Sequence, residues 1–283
     1  MPTLQATGID VALYQKTIDW TKVKACGQAF AFVKATQGHD ITDPYFAVNW
    51  PQAKAAGLLR GAYHFYENGG DGVAQAQRFI AVLSGDHGEL PPVVDVEDPH
   101  GTANINDLKG CLDAIETAFG HKPIIYTANW YWNPARWGGP VVWARQYELW
   151  VATYNTASPV LPSDWPTWRF WQTKMGAVDG IAAAVDIDVY NGSTDDLSAW
   201  LQIKPPPHHT VPNVTNQAMI NAFFHAFGQN YWDKVTSAGL TNMAVPRTNR
   251  TLTYSGPAIE DLPGLTDAEK AALIATLSQA SPG

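Results

Sequence analysis

The sequence predicts an α/β fold: a closed barrel of eight strands with fewer than eight helices, followed by a small, mainly helical module. Three observations predict it: a series of β-type runs, helical stretches that alternate with only the first of them, and a triple proline near residue 205. The runs are rich in β-branched and aromatic residues and cover 6–13, 30–36, 59–66, 92–97, 123–128, 149–154, 169–174 and 185–190. Helical stretches at 19–25, 44–56, 72–83 and 104–119 separate the early runs. Gly57, Gly85 and Gly120 stand where three of them should stop. Strands alternating with helices imply a mostly parallel sheet, and eight strands suggest closure. After Ala128 the pattern changes. Segments 129–148 and 155–168 are rich in Trp, Pro, Gly and Asn without a helical period, so irregular loops are expected there.

Lys204-Pro205-Pro206-Pro207-His208-His209 reads as a semi-rigid, extended spacer. It divides the chain into a barrel over 1–204, a linker over 205–213 and a helical module over 214–283. In the module, Met219, Ile220, Phe223, Phe224 and Phe227 fall on one helical stripe, read as the module's own core. Thr266-Asp267-Ala268-Glu269 fits a capping box ahead of Ala272, Leu273 and Leu277.

Composition narrows the function. A net charge of -8 argues against nucleic acid or anionic membrane as partner. No apolar run reaches 18 residues, so membrane insertion is not expected. Met1-Pro2-Thr3 leads straight toward the first strand, with no visible signal peptide. No zinc-ligand spacing and no phosphate-binding glycine loop occur, so neither metal nor cofactor is expected. Cys26 and Cys111, both in helical stretches, are expected to be buried free thiols, with one disulfide as the alternative. A monomer is expected.

Chemistry is suggested by Pro92-Val93-Val94-Asp95-Val96-Glu97. Side chains alternate along a strand, so Asp95 and Glu97 face the same way. Like charges held close raise one pKa, which suits a proton donor working near neutral pH. The plainer reading is a strand end whose acids face water. Against it, Asp10, Lys34, Tyr63, His64, Tyr126, Tyr154, Gln172 and Asp186 also fall at strand ends, where barrels keep their chemistry. His64 is read as a hydrogen-bonded barrel residue.

The same segments resemble glycoside hydrolase family 25, the lysozymes of the Chalaropsis and phage-endolysin type. The resemblance rests on Gly8-Ile9-Asp10-Val11, Asp19-Trp20, Phe32-Val33-Lys34-Ala35-Thr36, Gly61-Ala62-Tyr63-His64-Phe65 and Pro92-Val93-Val94-Asp95-Val96-Glu97. It continues through Lys122-Pro123-Ile124-Ile125-Tyr126-Thr127, Leu149-Trp150-Val151-Ala152, Phe170-Trp171-Gln172 and Val185-Asp186-Ile187-Asp188, over about residues 5–202. It implies a flattened TIM-like (β/α) barrel and hydrolysis of the β-1,4 bond between N-acetylmuramic acid and N-acetylglucosamine. The partner implied is bacterial cell-wall peptidoglycan, reached as a secreted or phage-encoded endolysin. Glu97 would be the proton donor and later the base. Asp95 would stabilise positive charge or orient a participating group, with Asp10 and Asp186 in the same pocket. Tyr63, Tyr126, Tyr154, Trp150, Trp171, Gln172 and Lys34 would bind substrate. The alternatives are a non-catalytic sugar-binding barrel and a chitin-type hexosaminidase.

Two positions depart from the family pattern: Gln37 where an acid is usual, and Asp188 where Asn is usual. The i, i+2 spacing separates the Cα atoms of Asp95 and Glu97 by about 6.7 Å, between the separations of retaining and inverting enzymes. Spacing therefore does not choose the stereochemistry.

Overall fold

The computed structural model describes residues 5–83, 85–202 and 265–279. The chain divides into two units, residues 1–203 and 204–283. In the first unit the strands are β1 (Thr7–Val11), β2 (Phe30–Gln37), β3 (Ile41–Thr42), β4 (Leu59–Phe65), β5 (Val93–Asp95), β6 (Ile124–Ala128), β7 (Leu149–Ala152), β8 (Phe170–Gly176) and β9 (Val185–Tyr190). Eight of them close a barrel in the order β1-β2-β4-β5-β6-β7-β8-β9, with β9 returning to β1. The two-residue β3 extends β2 at one end. These are the eight runs read from the sequence.

Around the barrel the pairings from β1 to β8 are parallel, β3 lies antiparallel on β2, and β9 is antiparallel to both of its neighbours. Only residues 177–184 join β8 to β9. A parallel return needs a crossover of a dozen residues or more. The chain therefore turns back, and Asp186 lies at the start of its strand instead of the expected end. Because β9 runs in reverse, that start still opens onto the mouth where the parallel strands finish.

The helices of this unit are α1 (Trp20–Ala25), α2 (Phe46–Ala55), α3 (Gly72–Val82), α4 (Ile105–Phe119), the single turn α5 (Pro134–Trp137) and α6 (Thr194–Trp200). The first four occupy the expected stretches. Asp71 and Asn104 accept from backbone N–H groups of the first turns of α3 and α4, and Gly120 ends α4 in the left-handed conformation. Ser193 and Asp196 form a capping box that starts α6, which the sequence reading did not include.

Strand alternation separates two cores. Outward residues such as Ile9, Val33, Val94, Ile125 and Val151 pack with the helices. Inward residues Phe30, Phe32, Val93, Ile124, Trp150 and Phe170 fill the barrel, with the rings of Phe32 and Trp150 stacked at 4.3 Å. Gly8 and Gly61 make this filling possible. A Cβ on either would lie 2.4 or 2.5 Å from the ring of Phe30 or Phe32. The lower barrel is thus a packed plug, and its upper end is open.

Cys111 is buried and free, whereas Cys26 is free but exposed, because it follows α1 as its cap and faces solvent. His64 points outward from β4. It is fully buried between the Thr36 hydroxyl, 2.8 Å from Nδ1, and the Gln75 side chain, 3.2 Å from Nε2. In the second unit, α7 (Asp267–Gln279) begins at the expected capping box: the Glu269 carboxylate accepts from Thr266 N–H and hydroxyl, and Leu273 is buried. Residues 205–213 and the aromatic stripe at 216–227 lie outside the described residues. No helix among the described residues is long and apolar enough to cross a membrane.

Candidate active site

The open end of the barrel holds a cavity of about 730 Å³. Asp10 reaches it from β1, Lys34 from β2, Tyr63 from β4, Asp95 from β5, Tyr126 from β6, Trp150 from β7, Gln172 from β8 and Asp186 from β9. Glu97 and Tyr154 line it from the loops after β5 and β7. Glu97 stands two residues beyond the end of β5, not inside a strand. Its inward aim persists because Val96 stays in the ladder: its N–H donates to the Tyr126 carbonyl at 2.9 Å, and its carbonyl accepts from the Thr127 hydroxyl at 2.8 Å. Beyond it, Asn68 clamps the loop by donating to the Asp98 side chain and to the Asp98 and His100 carbonyls.

Trp171 is the one sequence-predicted site residue that does not line the cavity. Its indole packs in the outer core and donates to the Thr153 carbonyl at 2.7 Å. Successive side chains on a strand face opposite ways. With Gln172 pointing in, Trp171 must point out, and that alternation was available in the sequence. The sequence reading also missed Trp130. This indole is 65% exposed and lines an adjoining recess of about 420 Å³ with Asn129, Thr153 and Val160. The recess shares Glu97, Tyr126 and Tyr154 with the main cavity, so Glu97 stands where the two meet.

Acid dominates the electrostatics. Burial, followed by the charge of Glu97, raises the Asp95 carboxyl well above the ordinary range. Glu97 is raised by burial and by Asp186, against the opposing pull of Lys34 and Tyr126. Burial and Asp186 push Asp10 up to about 8, although Gln172 and Asp188 stabilise its charge by hydrogen bonds. Burial also raises Asp186, and the Tyr154 hydroxyl opposes it. Lys34 is the one Lys or Arg among the described lining residues. Its ammonium donates to Gln37 at 2.7 Å, and Gln37 in turn donates to Glu67 at 2.8 Å.

A hydrogen-bond chain runs across the floor. Gln172 donates to Asp10 at 2.6 Å and accepts from the hydroxyls of Tyr126 and Tyr154 at 2.8 and 2.7 Å. The arrangement offers a proton held on one carboxyl, negative charge on others, and neutral phenols at the walls. Those are the groups that cleavage of an acetal through a positively charged transition state requires.

Comparison with known proteins agrees with that chemistry. The sequence model of glycosyl hydrolases family 25 matches residues 9–181. Lysozyme M1 of Streptomyces globisporus is 37% identical over 211 residues, covering 68% of this chain and 70% of that protein. The N,O-diacetylmuramidase of Chalaropsis sp is 28% identical over 207 residues, covering 67% of this chain and 96% of that protein. The bacterial lysozyme from Streptomyces coelicolor superposes with a TM-score of 0.63 at 33% identity, over 70% of this chain and 97% of that one. With a family model matched across most of its barrel and acids gathered at the barrel mouth, the chain belongs to glycosyl hydrolases family 25, the lysozyme family its ordered segments resemble.

Proposed function

We propose that the chain is an N-acetylmuramidase that cleaves the β-1,4 bond between N-acetylmuramic acid and N-acetylglucosamine in bacterial cell-wall peptidoglycan. The observation that carries this reading is the pair Asp95 and Glu97 on one inward face of the barrel mouth, both raised by burial. Glu97 is the less buried of the two and lies at the junction of the two recesses. It carries the proton and gives it to the leaving oxygen as the glycosidic bond breaks. The 2-acetamido oxygen of the muramic acid residue attacks the anomeric carbon, with Asp95 holding that group and balancing its developing positive charge. Water then opens the cyclic intermediate, and Glu97, now ionised, takes the proton from it. Tyr63, Tyr126, Tyr154 and Lys34 contact the sugars. Anomer-resolved NMR of fresh product should show retention; inversion excludes acetamido participation.

The decisive experiment digests purified peptidoglycan with the wild type and with Glu97→Gln, reduces the products with borohydride and reads them by mass spectrometry. New reducing ends on N-acetylmuramic acid are expected from the wild type. The variant should lose on the order of 10²- to 10⁴-fold in rate, the usual contribution of a positioned acid. Reducing ends on N-acetylglucosamine would reassign the bond cleaved.

A further inference from the structure

Asp188 lies one layer below the cavity and is fully buried. On β9 it pairs with Gly8 of β1 on one side and with Gln172 of β8 on the other, while Asp186 pairs with Asp10. The Asp188 and Asp10 side chains therefore lie diagonally on the same inner face. Asp188 Oδ1 accepts from the Trp150 indole N–H at 2.9 Å. Its Oδ2 receives no N–H or hydroxyl donor among the described residues. The group that meets it is the carboxyl of Asp10.

Two carboxyl groups bond to each other only with a proton between them. Around the pair stand Gln172 of β8, Trp150 of β7, Asp186 of β9, Tyr63 of β4, Asp95 of β5, Tyr126 of β6 and, farther up, Glu97 and Tyr154. Lys34 on β2 is bonded to Gln37. We propose that Asp188 is a positioning residue, a neutral carboxylic acid that donates its proton to Asp10 and locks the hydrogen-bond chain above it. With Asp10 fixed as acceptor, Gln172 must turn its N–H toward Asp10 and its carbonyl toward Tyr126 and Tyr154. That turns the Gln172 carbonyl toward the hydroxyls of Tyr126 and Tyr154, the phenols that meet Glu97 and Asp186. The role in positioning rests on the function proposed above; the shared proton does not.

The test compares full-length wild type, Asp188→Asn and Asp188→Leu. Infrared or carbon-13 NMR should show a protonated carboxyl at pH 7 in the wild type that Asp188→Asn lacks. Thermal stability supplies a second readout. The folded pair holds a proton that an unfolded chain releases at ordinary carboxylate pH, so wild-type Tm should fall as pH rises above about 4 toward the raised titration of the buried pair. Asp188→Asn keeps an N–H donor with nothing to titrate, so its decline should be shallower. Its kcat at pH 5 should stay near wild type, while Asp188→Leu should lose about tenfold or more in kcat with KM little changed. If Asp188→Asn keeps both the pH 7 signal and the wild-type slope, the shared proton is wrong. A folded Asp188→Leu with wild-type kcat overturns the positioning role, and if that variant does not fold, Asp188→Asn alone decides. Wild-type protein that leaves walls uncut would instead refute the proposed function, with the carboxyl signal unaffected.

Discussion

Gln37 shows how one residue can be explained only by its neighbours. The family usually carries an acid there, yet here the amide accepts from Lys34 and donates to Glu67 at once. A glutamate could do the first but would face Glu67 as a like charge. Trp130 teaches the opposite lesson. In the sequence it is one tryptophan in a loop rich in them; in the fold it stands exposed over the recess beside Glu97. An exposed indole face is a platform for the apolar face of a sugar. Trp130→Ala should therefore raise KM for soluble glycan fragments by about fivefold, worth about 1 kcal/mol, and leave kcat nearly unchanged. Steady-state kinetics checks this, and an unaltered KM would remove the residue from the binding surface.

At the scale of elements, the inward set at the mouth was legible because alternation along a strand is a local rule. Asp10, Tyr63, Asp95, Tyr126 and Asp186 all follow it. Trp171 broke it in the sequence reading. The direction of β9 was less legible, since only the length of the connection after β8 marks the reversal. The α3–α4 contact was not legible at all. A Cβ on Gly72 would come within 1.9 Å of the Asp107 carbonyl oxygen, so the two helices touch through backbone at this point. Gly72→Ala should force them apart and cost about 2–3 kcal/mol, in the range of overpacking a tight contact. Urea unfolding followed by circular dichroism measures it, and a loss below about 0.5 kcal/mol, the scale of a surface substitution, would mean the helices adjust freely.

For the whole molecule, the acids assemble only when the barrel closes, because β1 and β9 meet across a gap of more than 170 residues in the chain. All the strands that close the barrel belong to the first unit, residues 1–203; the second unit is residues 204–283. We propose that it holds the enzyme to the wall. Removing residues 205–283 should leave cleavage of soluble fragments within about twofold, since every described residue lining the proposed site belongs to the first unit, and should lower retention in a wall pull-down at least several-fold, as expected when one of two binding modules is lost. Equal retention would dispose of the anchoring role.

The sequence by itself determined the eight barrel strands and the first four helices, that the strands close into a barrel, and most of the residues that face its mouth. All of these follow from short-range patterns of side-chain size, polarity and chain stops. Only the tertiary structure decided the reversal of β9, the backbone contact of α3 with α4, the exposure of Trp130 and Cys26, and the meeting of Asp10 with Asp188. Each of those depends on which surfaces come together over long chain separations, and no local pattern encodes the burial that sets a carboxyl's charge.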